Sequence, residues 1–193
     1  DGTKFGKTES GTVWLDPELT SPYAMYQFFL NAEDAKVIDY LKVFSFRGRE
    51  EIEALQQATI EAPFKREAQR ALADDVTDLV HGKEEREAAV AASAALFGRG
   101  ELQSLSDQTL SSVAREVGGG TFEGDATVVD ALVAAGVVDS KGAARRAIGE
   151  GGAYLNNERI EDPELVLTPE QLLHGRFAVL RRGRKTVGIA ERV

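Results

Sequence analysis

Apolar residues recur at helical spacing through the first 117 residues of the chain. Between residues 67 and 81, for example, Ala68, Leu72, Val76 and Val80 follow one another every four positions, which places them on one face of a helix. Six segments show this spacing, each bounded by a capping residue, a proline or a glycine: 22–30, 31–46, 49–61, 63–81, 83–97 and 107–117. No stretch before residue 118 alternates as a strand would. The pattern therefore predicts an all-helical domain.

Local signals mark where some of these helices begin and which side chains face inward. Ser21 is placed to cap the first helix and Pro22 suits its first turn. The spacing also predicts buried positions for Ile52, Leu55 and Ile60 in the third helix, and Leu79 belongs to the apolar pattern of the fourth.

The pattern changes after the glycine triplet at residues 118–120. Three consecutive glycines cost backbone entropy in a packed element, so residues 118–126 are expected to be a linker. Thr127 and Ser140 are each placed to cap a short helix. Residues 153–160 and 177–189 then read as two hairpins, the second turning around Gly183. Residues 127–193 should form a small α+β domain, and the whole chain should be mainly helical.

Composition restricts the chemistry available to the protein. The 193 residues are 42% hydrophobic and 28% charged, as in soluble proteins, and they include no cysteine and two histidines, so no protein-bound metal is predicted. The histidines are expected to be a capping residue (His81) and a turn residue (His174). No apolar run is long enough to span a membrane, and a cytoplasmic protein is expected.

Charge is distributed unevenly along the chain. The net charge is −9, yet residues 1–126 carry 13 Lys and Arg against 23 Asp and Glu, whereas residues 127–193 carry 10 against 9. Residues 176–185 hold five cations and no acid: Arg176, Arg181, Arg182, Arg184 and Lys185. On the preceding helix Lys141 and Arg145 lie one turn apart, with Arg146 about 100° round. These groups could bind nucleic acid, or they could form a solvated helix face.

The first residues contain two lysines in a glycine-rich segment, Lys4-Phe5-Gly6-Lys7-Thr8. The spacing from Gly2 is one residue short of a Walker-type phosphate loop, which is therefore rejected. The segment instead resembles the Lys-Met-Ser-Lys-Ser signature loop of class I aminoacyl-tRNA synthetases, in the variant of the bacterial tyrosyl enzymes. Taken alone, these five residues fit a solvated Gly/Lys turn better than a signature loop, so the downstream chain has to decide.

Two further regions of the chain support this resemblance, and the first of them contributes two segments. Residues 21–31 and 72–82 resemble the helical anticodon-binding domain of bacterial tyrosyl-tRNA synthetases. Residues 140–159 resemble a small RNA-binding domain shared with a ribosomal small-subunit protein, except that Asn157 stands where that family usually has glycine. Asparagine also tolerates the left-handed turn conformation, so the hairpin is expected to survive. With its three segments in the family's order, the chain is identified as a C-terminal portion of a bacterial tyrosyl-tRNA synthetase.

The resemblance implies a domain organisation and a reaction. Residues 1–16 would be the signature loop and the end of a catalytic domain, 17–117 the anticodon-binding domain, 118–126 the linker and 127–193 the tRNA-binding domain. The family activates tyrosine with ATP, expected to carry magnesium, and transfers it to tRNA(Tyr) as a homodimer. Lys4, Lys7 and Thr8 would be catalytic, with Lys4, Gly6 and Lys7 at the ATP phosphates.

The predicted RNA contacts are Lys141, Arg145, Arg146, Arg181, Arg182, Arg184 and Lys185. Because the tyrosine pocket would lie in a preceding domain, this portion alone is predicted to be inactive. Two alternatives stay open. A stand-alone RNA-binding module would explain residues 127–193 only, and a helical interaction bundle would explain residues 17–117 only.

Overall fold

The computed structural model describes residues 12–183 and 186–193, and they form a mainly helical protein with one small sheet. The α-helices are α1 (Pro22–Leu30), α2 (Val37–Phe44), α3 (Arg49–Glu61), α4 (Glu67–His81), α5 (Lys83–Leu96), α6 (Asp107–Val117), α7 (Val128–Ala134) and α8 (Lys141–Gly149). The strands are β1 (Thr121–Phe122), β2 (Ala153–Leu155), β3 (Glu158–Arg159), β4 (Phe177–Arg182) and β5 (Thr186–Arg192). The chain divides into two compact units, residues 1–90 and 91–193, and the division falls within α5.

The first unit is organised around α4, which packs against α1, α2 and α3. Leu72 and Val76 of α4 are buried, as are Met25 of α1 and Leu41 of α2. The predicted start of α1 is confirmed, since the Ser21 hydroxyl accepts a hydrogen bond from the backbone N–H of Ala24. This core fixes the four helices to one another by apolar burial.

The start of α2 differs from the prediction. It begins at Val37 rather than after Asn31, because Asn31 ends α1 and the Asp34 carboxylate accepts a hydrogen bond from the Gln69 side-chain amide at 2.5 Å. Arg66 donates to the Leu30 carbonyl at 2.7 Å, so α4 satisfies polar groups at the end of α1. These partners lie more than thirty residues away in the chain, beyond the reach of a local signal.

Two predicted inward positions are wrong. Ile60 is 69% exposed although Ile52 on the same helix is buried, since eight residues rotate a side chain by about 80° around the helix axis. Leu79 is 59% exposed, and the buried side chains of α4 end at Thr77.

The second unit contains a five-stranded sheet in the order β1-β5-β4-β2-β3. β1 runs parallel to β5, and the other neighbours are antiparallel, which includes the two predicted hairpins. Ala178 and Leu180 face a core formed with Val128 and Leu132 of α7 and with α8. The alternate residues of β4 are buried on the opposite face of the sheet, and α6 packs against β5.

The glycine triplet is part of this packing and does not separate the two compact units. A Cβ placed on Gly119 would overlap the Ile189 carbonyl oxygen, and one on Gly120 would lie 2.5 Å from the Ala134 carbonyl oxygen. The residues that follow, Thr121 and Phe122, pair with β5. The glycines are therefore packed and do not form the expected linker. The close approach of backbone segments that they permit compensates for the backbone entropy lost when they are fixed.

Candidate nucleic-acid interface

The candidate site lies among the cations of the second unit. The signature-loop residues Lys4, Gly6, Lys7 and Thr8 fall outside the described residues, as do Arg184 and Lys185. The remaining predicted RNA contacts are described: Lys141, Arg145, Arg146, Arg181 and Arg182.

Lys141 is paired with an acid of the neighbouring helix. α8 begins at Lys141 with Ser140 as its cap, as predicted. The Lys141 ammonium lies 2.6 Å from a carboxylate oxygen of Asp130 on α7. Hydrogen bonds to Asp130 from Lys141 and then from Thr127 lower the pKa of that carboxyl to about 2. The Lys141 ammonium is therefore already paired with an ionised carboxylate, which a phosphate would have to displace.

The next two cations of α8 have different surroundings. Arg145 lies 3.2 Å from the Glu164 carboxylate, and both side chains are exposed, so solvent screens this pair. Arg146 is exposed and makes no ion pair or hydrogen bond within the part of the chain that the structure describes. The predicted stripe of Lys141 and Arg145 is thus paired with acids, whereas Arg146 is not.

Arg181 and Arg182 lie on opposite faces of the sheet. Arg181 is directly across from Tyr154 on β2, whereas Arg182 is across from Ala153, whose side chain belongs to the core formed with α7 and α8. Arg182 is exposed, but Arg181 is half-buried. The two neighbouring arginines therefore do not form one patch.

Contacts hold the Arg181 guanidinium in place. Its central carbon lies 4.3 Å from the centre of the Tyr154 ring, and Nη1 donates to the Gly183 carbonyl at 3.0 Å. Its Nε is buried and has no hydrogen-bond partner among residues 12–183 and 186–193.

The turn between β2 and β3 keeps its geometry without glycine. Asn156 and Asn157 have φ angles of 48° and 69°, so both occupy the left-handed region and the expectation for Asn157 is confirmed. The side-chain oxygen Oδ1 of Asn156 accepts a hydrogen bond from the backbone N–H of Val179 at 3.0 Å. The Asn157 amide donates to the Ala95 carbonyl near the end of α5 at 2.8 Å.

Arg176 and His174 have partners within the second unit, whereas the buried Nε2 of His81 has no hydrogen-bond partner among the described residues. Arg176 pairs with Glu191 at 2.6 Å and with Asp107 at 3.1 Å, which removes it from the basic patch. His174 adopts a φ of 50° in a turn and its Nε2 lies 2.7 Å from the Leu105 carbonyl oxygen. His81 ends α4 before Gly82, and burial lowers its pKa.

Among the described residues, the side chains of four arginines make neither an ion pair nor a hydrogen bond, and all four are exposed and belong to the second unit: Arg99, Arg146, Arg159 and Arg182. Sequence reasoning missed Arg99 and Arg159, because each is isolated among neutral or acidic neighbours. Strand register is the signal that would place Arg159, which lies directly across from Tyr154.

A surface cleft of about 1090 Å³ in the same unit is a poor phosphate site. Its lining includes five carboxylates and the single cation Arg159; the carboxylates are Glu101, Glu158, Glu161, Asp162 and Glu170. These negative charges would repel an RNA backbone there, so the three free arginines outside the cleft, Arg99, Arg146 and Arg182, are the better candidates.

Comparison with known proteins identifies the family. The profile described as tRNA synthetases class I (W and Y) matches residues 1–98, just over half of the chain. The chain belongs to this family. A second profile, the tyrosine–tRNA ligase SYY-like C-terminal domain, matches residues 110–189. In this class I synthetase chain the second match includes most of α6 and the glycine triplet, in agreement with their packing against the sheet.

Curated relatives of this synthetase chain are tyrosine–tRNA ligases. The protein of Cutibacterium acnes is 61% identical over 194 residues, covering 100% of this chain and 46% of the relative. That of Thermobifida fusca is 55% identical over 192 residues, covering 97% of this chain and 44% of the relative. The chain thus spans about half the length of these relatives and corresponds to their C-terminal part.

A solved structure is also similar, the C-terminally truncated mitochondrial tyrosyl-tRNA synthetase of Aspergillus nidulans. The match has 39% sequence identity and a TM-score of 0.43, and it covers 44% of this chain and 25% of the solved chain.

The described residues show neither a cluster of metal ligands nor a membrane-spanning helix. They contain no group of three or more His, Cys, Asp or Glu side chains placed to hold a metal ion. No helix among them has both the length and the apolar composition required to cross a membrane.

Proposed function

We propose that the chain is the C-terminal part of a tyrosine–tRNA ligase, which activates tyrosine with ATP and transfers it to tRNA(Tyr). The match of residues 1–98 to the class I synthetases carries this proposal, and the 61% identity to a tyrosine–tRNA ligase over the whole chain supports it. A stand-alone RNA-binding module would leave the match of the first 98 residues without an explanation.

In the intact enzyme, Lys4, Lys7 and Thr8 would stabilise negative charge on the triphosphate when the tyrosine carboxylate attacks the α-phosphorus, and Gly6 would let the backbone approach. Magnesium would arrive with ATP. The enzyme would act as a cytoplasmic homodimer.

The remaining segments would bind tRNA. Residues 17–117 would contain the anticodon-binding helices, and residues 127–193 would form the RNA-binding domain of the ribosomal small-subunit type. The exposed, unpaired Arg146 and Arg182 are the best candidates in the latter domain for binding phosphates. Lys141 and Arg145 would contribute by exchanging their carboxylate partners for phosphates, and Arg184 and Lys185 stay predicted contacts.

The test is tRNA(Tyr) binding by the intact enzyme at several salt concentrations. The double variant Arg146→Ala/Arg182→Ala should weaken binding and lower the slope of log affinity against log salt by about 0.7 to 0.9 for each phosphate that the protein no longer neutralises. Tyrosine-dependent pyrophosphate exchange should stay near wild type, because these arginines would not reach ATP.

Arg115→Ala provides the matched control, since this exposed arginine on α6 donates to Ser112 and is not a proposed contact. It should leave the slope unchanged. An unchanged slope in the double variant would show that the free arginines are only solvated surface groups.

A further inference from the structure

The C-terminal end of α5 lies against the sheet face that carries Arg181. A Cβ placed on Gly98 would lie 3.6 Å from Nη2 of Arg181 and 3.7 Å from the side-chain oxygen Oδ1 of Asn157. Gly98 has a φ of 75° and donates its N–H to the Ala95 carbonyl, which also accepts from the Asn157 amide. Two side chains of the sheet thus surround the turn that ends the helix.

Contacts with other residues of the protein hold the side chain of Arg181. Its guanidinium is stacked on Tyr154, bonded to the Gly183 carbonyl and buried at Nε. Its Nη2 also lies next to Gly98, two residues after the last residue of α5, and the C-terminal end of a helix favours a cation. These contacts fix the guanidinium and restrict the directions from which an RNA phosphate could reach it.

The residue after Gly98 is differently placed. Arg99 donates its backbone N–H to the Ala94 carbonyl at 3.0 Å, so its backbone belongs to the same turn. Its side chain is exposed and makes neither an ion pair nor a hydrogen bond with any residue in 12–183 or 186–193. The turn held by Arg181 and Asn157 therefore presents an unpaired cation to solvent.

We propose that Arg181 is a positioning residue that holds the Gly98–Arg99 turn against the sheet, and that Arg99 is a further contact for RNA backbone phosphates. The inference rests on the proposed tRNA-binding function. The two arginines have different roles. The side chain of Arg181, inside the predicted basic cluster, contacts other residues of the protein, whereas that of Arg99 is exposed and unpaired among the described residues.

The first experiment measures tRNA(Tyr) binding by the intact enzyme across a salt series for Arg99→Ala, Arg181→Lys and the double variant. Arg99→Ala should lower the log–log slope by about 0.7 to 0.9, the value for one neutralised phosphate, whereas Arg115→Ala should not change it. Arg181→Lys keeps the charge but removes the planar stack on Tyr154, so it should lower the slope by a similar amount.

The double variant tests the dependence between the two residues. If Arg181 acts through Arg99, the slope of the double variant should fall no further than that of either single variant, since residues that act as one unit are not additive. If both arginines bound phosphate, Arg181→Lys would retain most of the wild-type slope and the two reductions would add.

A second experiment follows amide hydrogen exchange at Gly98 and Arg99, whose N–H groups are bonded to the end of α5. Arg181→Lys should accelerate exchange at both, whereas Arg99→Ala should leave the Gly98 amide protected. This readout separates a change of position from a change of charge.

The inference is overturned if Arg181→Lys keeps wild-type slope and exchange, or if Arg99→Ala leaves the slope unchanged while Arg146→Ala/Arg182→Ala lowers it. If all of these variants keep the wild-type slope, the proposed RNA-binding role of the domain fails together with the inference.

Discussion

At the scale of residues, Asp130 has two roles at the start of α7. It accepts hydrogen bonds from the N–H and the hydroxyl of Thr127 at 3.1 and 2.7 Å, which completes the cap of the helix. It also pairs with Lys141 of α8 at 2.6 Å. The low pKa of Asp130 keeps this carboxylate charged throughout the physiological range.

We expect Asp130→Asn to lower the free energy of unfolding of the chain by about 1 kcal/mol at pH 7, after allowance for solvent screening of a partly exposed pair. The folded-state pKa, about 2, lies below the ordinary value of 3.8. The stabilisation is therefore full above pH 3.8 and disappears as the pH falls through 2. Urea unfolding of both proteins at about pH 7, 4, 3 and 2 checks this. A difference that did not shrink with acidification would mean that the charge is irrelevant.

At the scale of elements, β5 and the end of α7 are in backbone contact. A Cβ placed on Gly188 would overlap the Ala135 carbonyl oxygen and would lie 3.1 Å from Cγ2 of Val137. Together with Gly119 and Gly120, this residue lets a helix end and two chain segments approach without side chains between them.

Gly188→Ala should destabilise the chain by about 1 to 3 kcal/mol, the usual cost of overpacking, since the atoms it meets include backbone. Gly149→Ala is the matched control, because that glycine lies in α8 with no atom within 4 Å of the added methyl. The control should be neutral or stabilising by up to about 1 kcal/mol. Thermal or urea unfolding compares them, and equal effects would refute the packing argument.

Elements whose signals are local were predictable. Ser21, Thr127 and Ser140 each accept a hydrogen bond from the N–H three residues on, and the helices begin where these residues indicated. The start of α2 and the role of the glycine triplet were not, because they depend on Gln69 and on β5, which are remote in sequence.

The same limit applied to the candidate site. Charge along the chain identified Arg146 and Arg182, but the pairing of Lys141 with Asp130 and of Arg145 with Glu164 required tertiary structure. The stacking of Arg181 on Tyr154 likewise depends on the pairing of β2 with β4, and Gly98, which lies next to its guanidinium, is more than eighty residues earlier in the chain.

At the scale of the whole molecule, charge and function are divided along the chain. Residues 1–90, the first unit, carry 18 Asp and Glu against 11 Lys and Arg, whereas the four arginines whose side chains are unpaired among the described residues lie in the second unit. Phosphate binding is therefore expected there despite the net charge of −9, and an acidic first unit would limit non-specific binding of RNA.

The 193-residue chain alone should form no tyrosyl-adenylate, because it spans less than half of the relatives named tyrosine–tRNA ligase. Tyrosine-dependent pyrophosphate exchange on the purified chain, compared with the intact enzyme at equal concentration, is the measurement. Exchange by the chain at a rate near that of the intact enzyme would show that these residues suffice for activation.

The position of β5 in the sheet has a consequence for biosynthesis. β5 pairs with both β1 and β4, although residues 186–192 come after β1, β2, β3 and β4 in the chain. The sheet therefore cannot close until these residues have left the ribosome, whereas α1 to α4 meet within the first 81 residues. During this interval β1 and β4 present unpaired edges, so nascent chains stalled before residue 186 would be the aggregation-prone species.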